Sequence, residues 1–163
     1  MMLLHPPHAS LFLHEIPGTF SALMELYERN YISIRRLIPT MPRASTMQIS
    51  RIPGGLDLHL HVIERFRYTS ELRLTYRFTQ DETAIAEPDL HIRVYHDARL
   101  VEVMAAHLRH QAAFNADILA SQRPNRAELY TRWRINRFLD KWLNYCLHQG
   151  HRFSKSTPAN AET

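Results

Sequence analysis

Glu64, His96 and Asp97 are the residues whose types could move a proton. Histidine titrates near neutrality, and a carboxylate becomes a general acid or base once its surroundings shift it. Glu64 stands between Val62 and Phe66 at the parity of an apolar strand face, where an unpaired carboxylate would be costly or stay protonated. The favoured compensation is a buried pair with an arginine such as Arg35 or Arg36, or a hydrogen bond to Tyr68; a site carboxylate is the alternative. His96-Asp97 falls where a strand enters a turn, a common place to display functional side chains. Neighbours on a strand face opposite ways, however, and turn aspartates commonly bond local backbone, so Asp97 does not simply orient His96. No serine or cysteine sits in a nucleophile motif, and Cys146 lies on an apolar helical stripe, the place of an inert thiol. A small acid-base enzyme, hydrolase-like and using Glu64, His96 and Asp97, is therefore the second reading.

The first reading, a cytoplasmic regulatory or binding domain for an anionic partner, rests on arginine. Eighteen of the twenty basic residues are arginine, whose planar fork suits phosphate and carboxylate, although a GC-rich genome explains the excess more simply. Arg35, Arg36, Arg67 and Arg93, with Tyr68, Tyr95 and His96, form the candidate binding set for an anionic small molecule such as a nucleotide-like metabolite, or for an acidic protein surface. No metal and no cofactor is expected. His59 and His61 share a strand face, but His91, the third histidine of that parity, belongs two strands away. Gly18, Gly54, Gly55 and Gly150 form no phosphate loop. Nucleic acid is not favoured, because Arg65, Arg67, Arg73, Arg77 and Arg93 on the wet sheet face have Tyr95 almost alone as a stacking platform. Charge is uneven within the net +4: Arg123 to Arg152 carries seven basic residues against Glu128 and Asp140, while Asp81 to Asp89 is acidic and reads as a loop with at most a short strand. Such blocks could meet within one molecule or between copies, which keeps a homo-oligomer among the options.

Two helices and a sheet must position these residues. Phe20, Leu23, Met24, Tyr27, Tyr31, Ile34 and Ile38 recur at helical spacing, with Thr19 as N-cap and Pro39 beyond the end. Ile135, Phe138, Leu139, Trp142, Tyr145 and Cys146 define a second helix from Arg126 to Gln149, capped by Asn125 and ended by Gly150. Between them the period becomes two. Leu56, Leu58, Leu60, Val62 and Phe66 mark the first strand, Leu72, Leu74, Tyr76 and Phe78 the second, and Leu90, Ile92 and Val94 the third. The fourth, Leu100 to Met104, follows the turn at Asp97-Ala98 in a register that sets Val94 opposite Val101, Ile92 opposite Val103 and Arg93 opposite Glu102. The predicted architecture is α+β, an antiparallel four-stranded meander with an N-terminal and a long C-terminal helix packed on one face. His59, His61, Arg65, Arg73 and Arg77 should share the exposed face.

Residues 1–16 read as an N-terminal arm, 17–150 as a single α+β domain and 151–163 as a disordered tail; 105–124, with Ala112, Phe114 and Ile118, is ambiguous. The lone Cys146 excludes a disulfide scaffold and suits a reducing compartment. Met1 to Phe12 has no basic n-region and is broken by Pro6-Pro7, and no apolar run approaches the roughly 18 residues of a membrane span, so the expected location is cytoplasmic, with no membrane.

Over roughly residues 20 to 150 the chain resembles the YqiB-like bacterial proteins of unknown function. The resemblance rests on Arg36-Leu37 before Pro39, Glu64 with Arg67-Tyr68-Thr69, and above all Arg93-Val94-Tyr95-His96-Asp97-Ala98 with Glu102; Pro124-Asn125, Asn136, Phe138-Leu139, Trp142 and Cys146 extend it. Tyr130-Thr131-Arg132 stands where that family has an acidic-acidic-basic triplet. What the resemblance implies is a cytoplasmic single domain.

Overall fold

Helical spacing and a threonine cap start the fold. In the computed structural model, which describes residues 16–107 and 126–154, Thr19 accepts from the Ala22 amide and opens helix α1, Phe20–Leu37. Five strands follow: β1 (Met47–Ser50), β2 (Asp57–Arg65), β3 (Thr69–Gln80), β4 (Thr83–Tyr95) and β5 (Leu100–His107); helix α2 spans Arg126–His148. Residues 1–15 of the expected arm, the Asn125 cap, the ambiguous stretch from residue 108 and the tail from residue 155 lie outside the described residues.

The sheet is an antiparallel meander in the order β1-β2-β3-β4-β5. It has five strands and not the expected four, because Met47–Ser50 inverts the usual alternation. Met47 and Ile49 point outward, whereas Ser50 is buried against His151, 2.9 Å from its Nδ1. The β4–β5 register is the expected one, with Val94 opposite Val101, Ile92 opposite Val103 and Arg93 opposite Glu102. The acidic run is no loop. Asp81 and Glu82, both at positive φ, turn a long β3 into β4, a two-residue connection of the kind whose twist matches a hairpin.

Leu58, Leu60, Leu72, Leu74, Ile92 and Val94 are fully buried beneath Ile34, Leu37, Ile135, Leu139 and Leu143, so both helices cover one apolar face. Four apolar residues assigned to core stripes are instead exposed: Phe20 and Tyr145 on the helices, and Leu56 and Phe66 just outside β2. The helices run in parallel: Gly18 lies against Tyr130 at one end, and the Phe153 amide donates to the Leu37 carbonyl at the other. Asn136 joins them to the sheet. Its Oδ1 accepts from the Val103 amide on the free edge of β5, and its carbonyl accepts from Asn30 Nδ2. Gly150, at φ +95°, ends α2 with the two backbone bonds of a Schellman motif, His151 N to Cys146 O and Gly150 N to Leu147 O. The ordered chain does not stop there, as the tail assignment from residue 151 required: His151 and Phe153 are buried in the core.

Candidate functional site

One residue of extra backbone decides which side chains meet. Val62 pairs with Leu72, but Glu64, not Ile63, pairs with Glu71, so Ile63 is the bulged residue of β2 and parity inverts beyond it. Glu64 therefore goes to the outer face and is exposed, with no ion pair among the described residues. This corrects its expected place on the core face, and neither the buried pair with Arg35 or Arg36 nor the buried site carboxylate applies. Arg65 is carried the other way, opposite buried Ser70, leaving the outer face on which it was expected. Its guanidinium donates to the carbonyl of Met41 at 3.1 Å.

The inverted end of β2 faces the β4–β5 turn and the last turn of α1. His96 is pinned there twice, by its amide on the Tyr68 carbonyl at 2.7 Å and by Ser70 Oγ at 2.7 Å from its Nε2. Burial, and then the positive charges of Arg65 and Arg35, hold the His96 pKa below the usual range, against the opposing pull of Asp97. Among the described residues Arg35, Arg36 and Arg65 form no ion pair, and His96 Nδ1 has no partner. Arg67 stacks on the exposed Tyr68 ring at 5.1 Å, on the same β2–β3 turn. Of the expected binding set, Arg35, Tyr68 and His96 thus share a corner. Ser70 and Arg65 join them unforeseen. A serine at core parity ahead of Leu72 and Leu74 was a signal available in the sequence; the flip of Arg65 was not.

Arg93 and Tyr95 are elsewhere. Both lie on the outer face among polar contacts: Glu71 accepts from Arg93 Nη2 at 2.6 Å and is 3.1 Å from His91 Nε2, and Tyr95 donates to Glu102. Glu102 also faces the buried Tyr27 hydroxyl, whose pKa is raised by burial first and by the charge of that carboxylate second. The Arg93 hydrogen bonds lead the causes that hold the Glu71 carboxyl below its ordinary value. This network ties β3 to β4 and β4 to β5. A second pair lies beside it. Burial pushes the Asp89 carboxyl up, but bonds from Arg73 and Thr75 outweigh it and bring the pKa down.

His59 and His61 line a shallow outer groove of about 350 Å³ with Met47, Ile49, Arg73 and Arg77. His91 shares their face, but Arg73 stands between it and His61 in the register. No helix is long and apolar enough to cross a membrane among the described residues. Cys146 is buried against the Tyr76 hydroxyl, and burial raises its thiol pKa to about 11, so little thiolate exists at neutral pH.

These shifts dictate an acid profile. His59, His96 and His151 all have depressed folded pKa values, each with desolvation as the leading cause. Each resists protonation in the native state, so its contribution is fully present above the unfolded value of about 6.5 and is lost as pH falls through the folded one. Urea unfolding should show stability declining first below about pH 6.5, and again below about pH 4 as Asp89 and Glu71 protonate. A flat profile from pH 7 to 5 would contradict the histidine part.

A family model described as a protein of unknown function, DUF1249, matches residues 33–152. Over 134 residues, 80% of this chain, the sequence is 30% identical to the uncharacterized protein YqiB of Escherichia coli K12 and covers 90% of that protein. The same figures hold for the uncharacterized YqiB proteins of Escherichia coli O6:H1 and O157:H7. No solved structure matches.

Proposed function

Since the chain belongs to the DUF1249 family of proteins of unknown function, its own surface must supply the reading, and we propose a cytoplasmic, non-catalytic binding domain for an anionic group. The group would belong to a nucleotide-like metabolite or to an acidic protein surface, seated at the corner formed by Arg35, Arg65 and His96. One observation carries this: two guanidiniums without a carboxylate partner among the described residues bear on one imidazole that is already fixed by Ser70. An incoming anion would relieve their mutual repulsion and gain charge-assisted hydrogen bonds. Arg67 and Tyr68 flank the corner and would contact a larger ligand, and Arg36 follows Arg35 in the last turn of α1; Arg93 and Tyr95, already engaged on the outer face, would act only through the fold. The enzyme reading needs Glu64 and His96 in one cleft, and their side chains belong to opposite sides of the sheet.

The test is a thermal-shift series on the full chain with inorganic phosphate, nucleoside mono- and diphosphates, and an oligoglutamate peptide. A ligand of the native state at about 100 times its Kd adds about 2.7 kcal/mol of apparent stability. Arg35→Gln should abolish the response to the active probe. Binding should also tighten as pH falls toward 6, because the bound anion favours protonated His96. The split between phosphates and oligoglutamate tells metabolite from protein surface. A response that survives Arg35→Gln, or one that requires Glu64, would overturn the reading.

A further inference from the structure

We propose that the solvent-facing side of α2 is a second, separate binding surface, for single-stranded nucleic acid. Tyr130, Trp133, Arg134, Arg137, Lys141 and Tyr145 recur at three- and four-residue steps on the side of α2 opposite Leu139, which is fully buried. Tyr130 and Tyr145 are among the largest exposed aromatic side chains of the described residues. The side chains also stack in order. The rings of Tyr130 and Trp133 lie 6.1 Å apart and 20° from parallel, Arg134 covers Tyr130 at 5.9 Å, and Arg137 covers Trp133 at 5.1 Å. From Tyr130 to Tyr145 the row runs about 22 Å at 1.5 Å per residue.

Planar groups and positive charge alternate along this row, which is the chemistry that a flexible polyanion with aromatic bases requires. Bases stack on rings and on guanidinium planes, while the cations track the phosphates. A duplex hides its base faces and would use the charge alone. Opposing charge is scarce: of the two acidic residues of α2, Asp140 is buried and paired with Arg29 at 2.9 Å, and Glu128 stands in the first turn. On the sheet Arg73 and Arg93 are held by Asp89 and Glu71, and almost no ring is exposed there. The exposed stacking rings stand on the helix.

Fluorescence anisotropy of the full-length protein with labelled oligothymidine and oligouridine, and with a duplex of equal length, tests this at about 50 and 200 mM salt. Single strands should bind and should outcompete the duplex. Trp133→Ala should weaken binding about tenfold, and Trp133→Phe, which keeps a ring, should restore most of it. Arg137→Ala and Lys141→Ala should each flatten the salt slope by about 0.7. Circular dichroism melting confirms that each variant folds. Equal or tighter duplex binding, Trp133→Ala binding as tightly as the parent, or no binding at about 50 mM salt would overturn the proposal. So would capture by anionic phospholipid vesicles without any binding to oligonucleotides. Failure here is separable from failure of the α1–β4 corner, whose response to phosphate or peptide is measured without nucleic acid.

Discussion

Trp142→Ala is expected to cost about 3–5 kcal/mol of unfolding free energy, the range for removing a large ring from a packed core. The indole is 6% exposed. It meets the Tyr76 ring edge-on at 5.4 Å and stacks beside Phe138 at 6.4 Å, so its loss opens a cavity bounded by the sheet on one side and its own helix on the other. Neither wall can collapse freely, because Tyr76 also carries the Cys146 contact and tilts against His151 at 5.7 Å. The indole N–H has no partner among the described residues. Trp142→Phe therefore gives up no protein hydrogen bond and keeps one ring in place, so it should cost about half as much as the alanine variant or less. Urea denaturation measures both, and a loss below about 1 kcal/mol for the alanine variant would show that α2 is not anchored by this ring.

Arg73→Met is expected to cost about 2–3 kcal/mol near neutral pH. Breaking a buried ion pair from one side costs about 3–5 kcal/mol, because the other charge is left without compensation. Asp89 is such a charge, with its side chain 7% exposed, but Arg73 is 52% exposed, and water screens its half of the pair, which lowers the figure. In the variant, Asp89 keeps only the Thr75 hydroxyl, and burial raises its carboxyl pKa. The sign of the pH dependence follows. In the parent the depressed Asp89 pKa contributes stability above the unfolded value of about 3.9, lost as pH falls through the folded one, and the variant lacks that contribution. The gap between the two proteins should therefore close below about pH 4, and adding Asp89→Asn should recover most of the loss at pH 7. A gap that persists unchanged at low pH would mean that Arg73 acts by packing and not by charge.

Wherever side-chain period and burial agree, the sequence was a sufficient guide. Apart from exposed Phe20 and Tyr145, the stripes of α1 and α2, with the alternation of Leu58-Leu60, Leu72-Leu74 and Ile92-Val94, place the core correctly, and opposite charges at Arg93 and Glu102 accompany a correct hairpin register. Departures come from backbone events with a weak side-chain signature. The bulge at Ile63 is marked only by two adjacent apolar residues, Val62-Ile63, yet it exchanges the faces of Glu64 and Arg65 and so rewrites the site. Asp81-Glu82 turns tightly without the asparagine or glycine that usually advertises positive φ. Strand β1 shows its apolar residues to solvent, which hides it from any test based on alternation. Charge alone could not separate Arg93, already bound to Glu71, from Arg35, because that distinction depends on which partners the fold supplies.

The parallel packing of α1 and α2 sets an order of events during synthesis. Asn30 meets Asn136 across 106 residues and Arg29 meets Asp140 across 111, so these contacts form only after nearly the whole domain has left the ribosome. At about 5–20 residues per second, translation of the roughly 40 residues from the end of β5 to the end of α2 takes about 2–8 s. During that interval the meander can pair its strands, but the apolar ground beneath Ile135, Leu139 and Leu143 stays open to water, and β5 keeps the free Val103 amide that Asn136 later occupies. A nascent chain halted in this window should engage a chaperone, and release of the last helix should end that engagement.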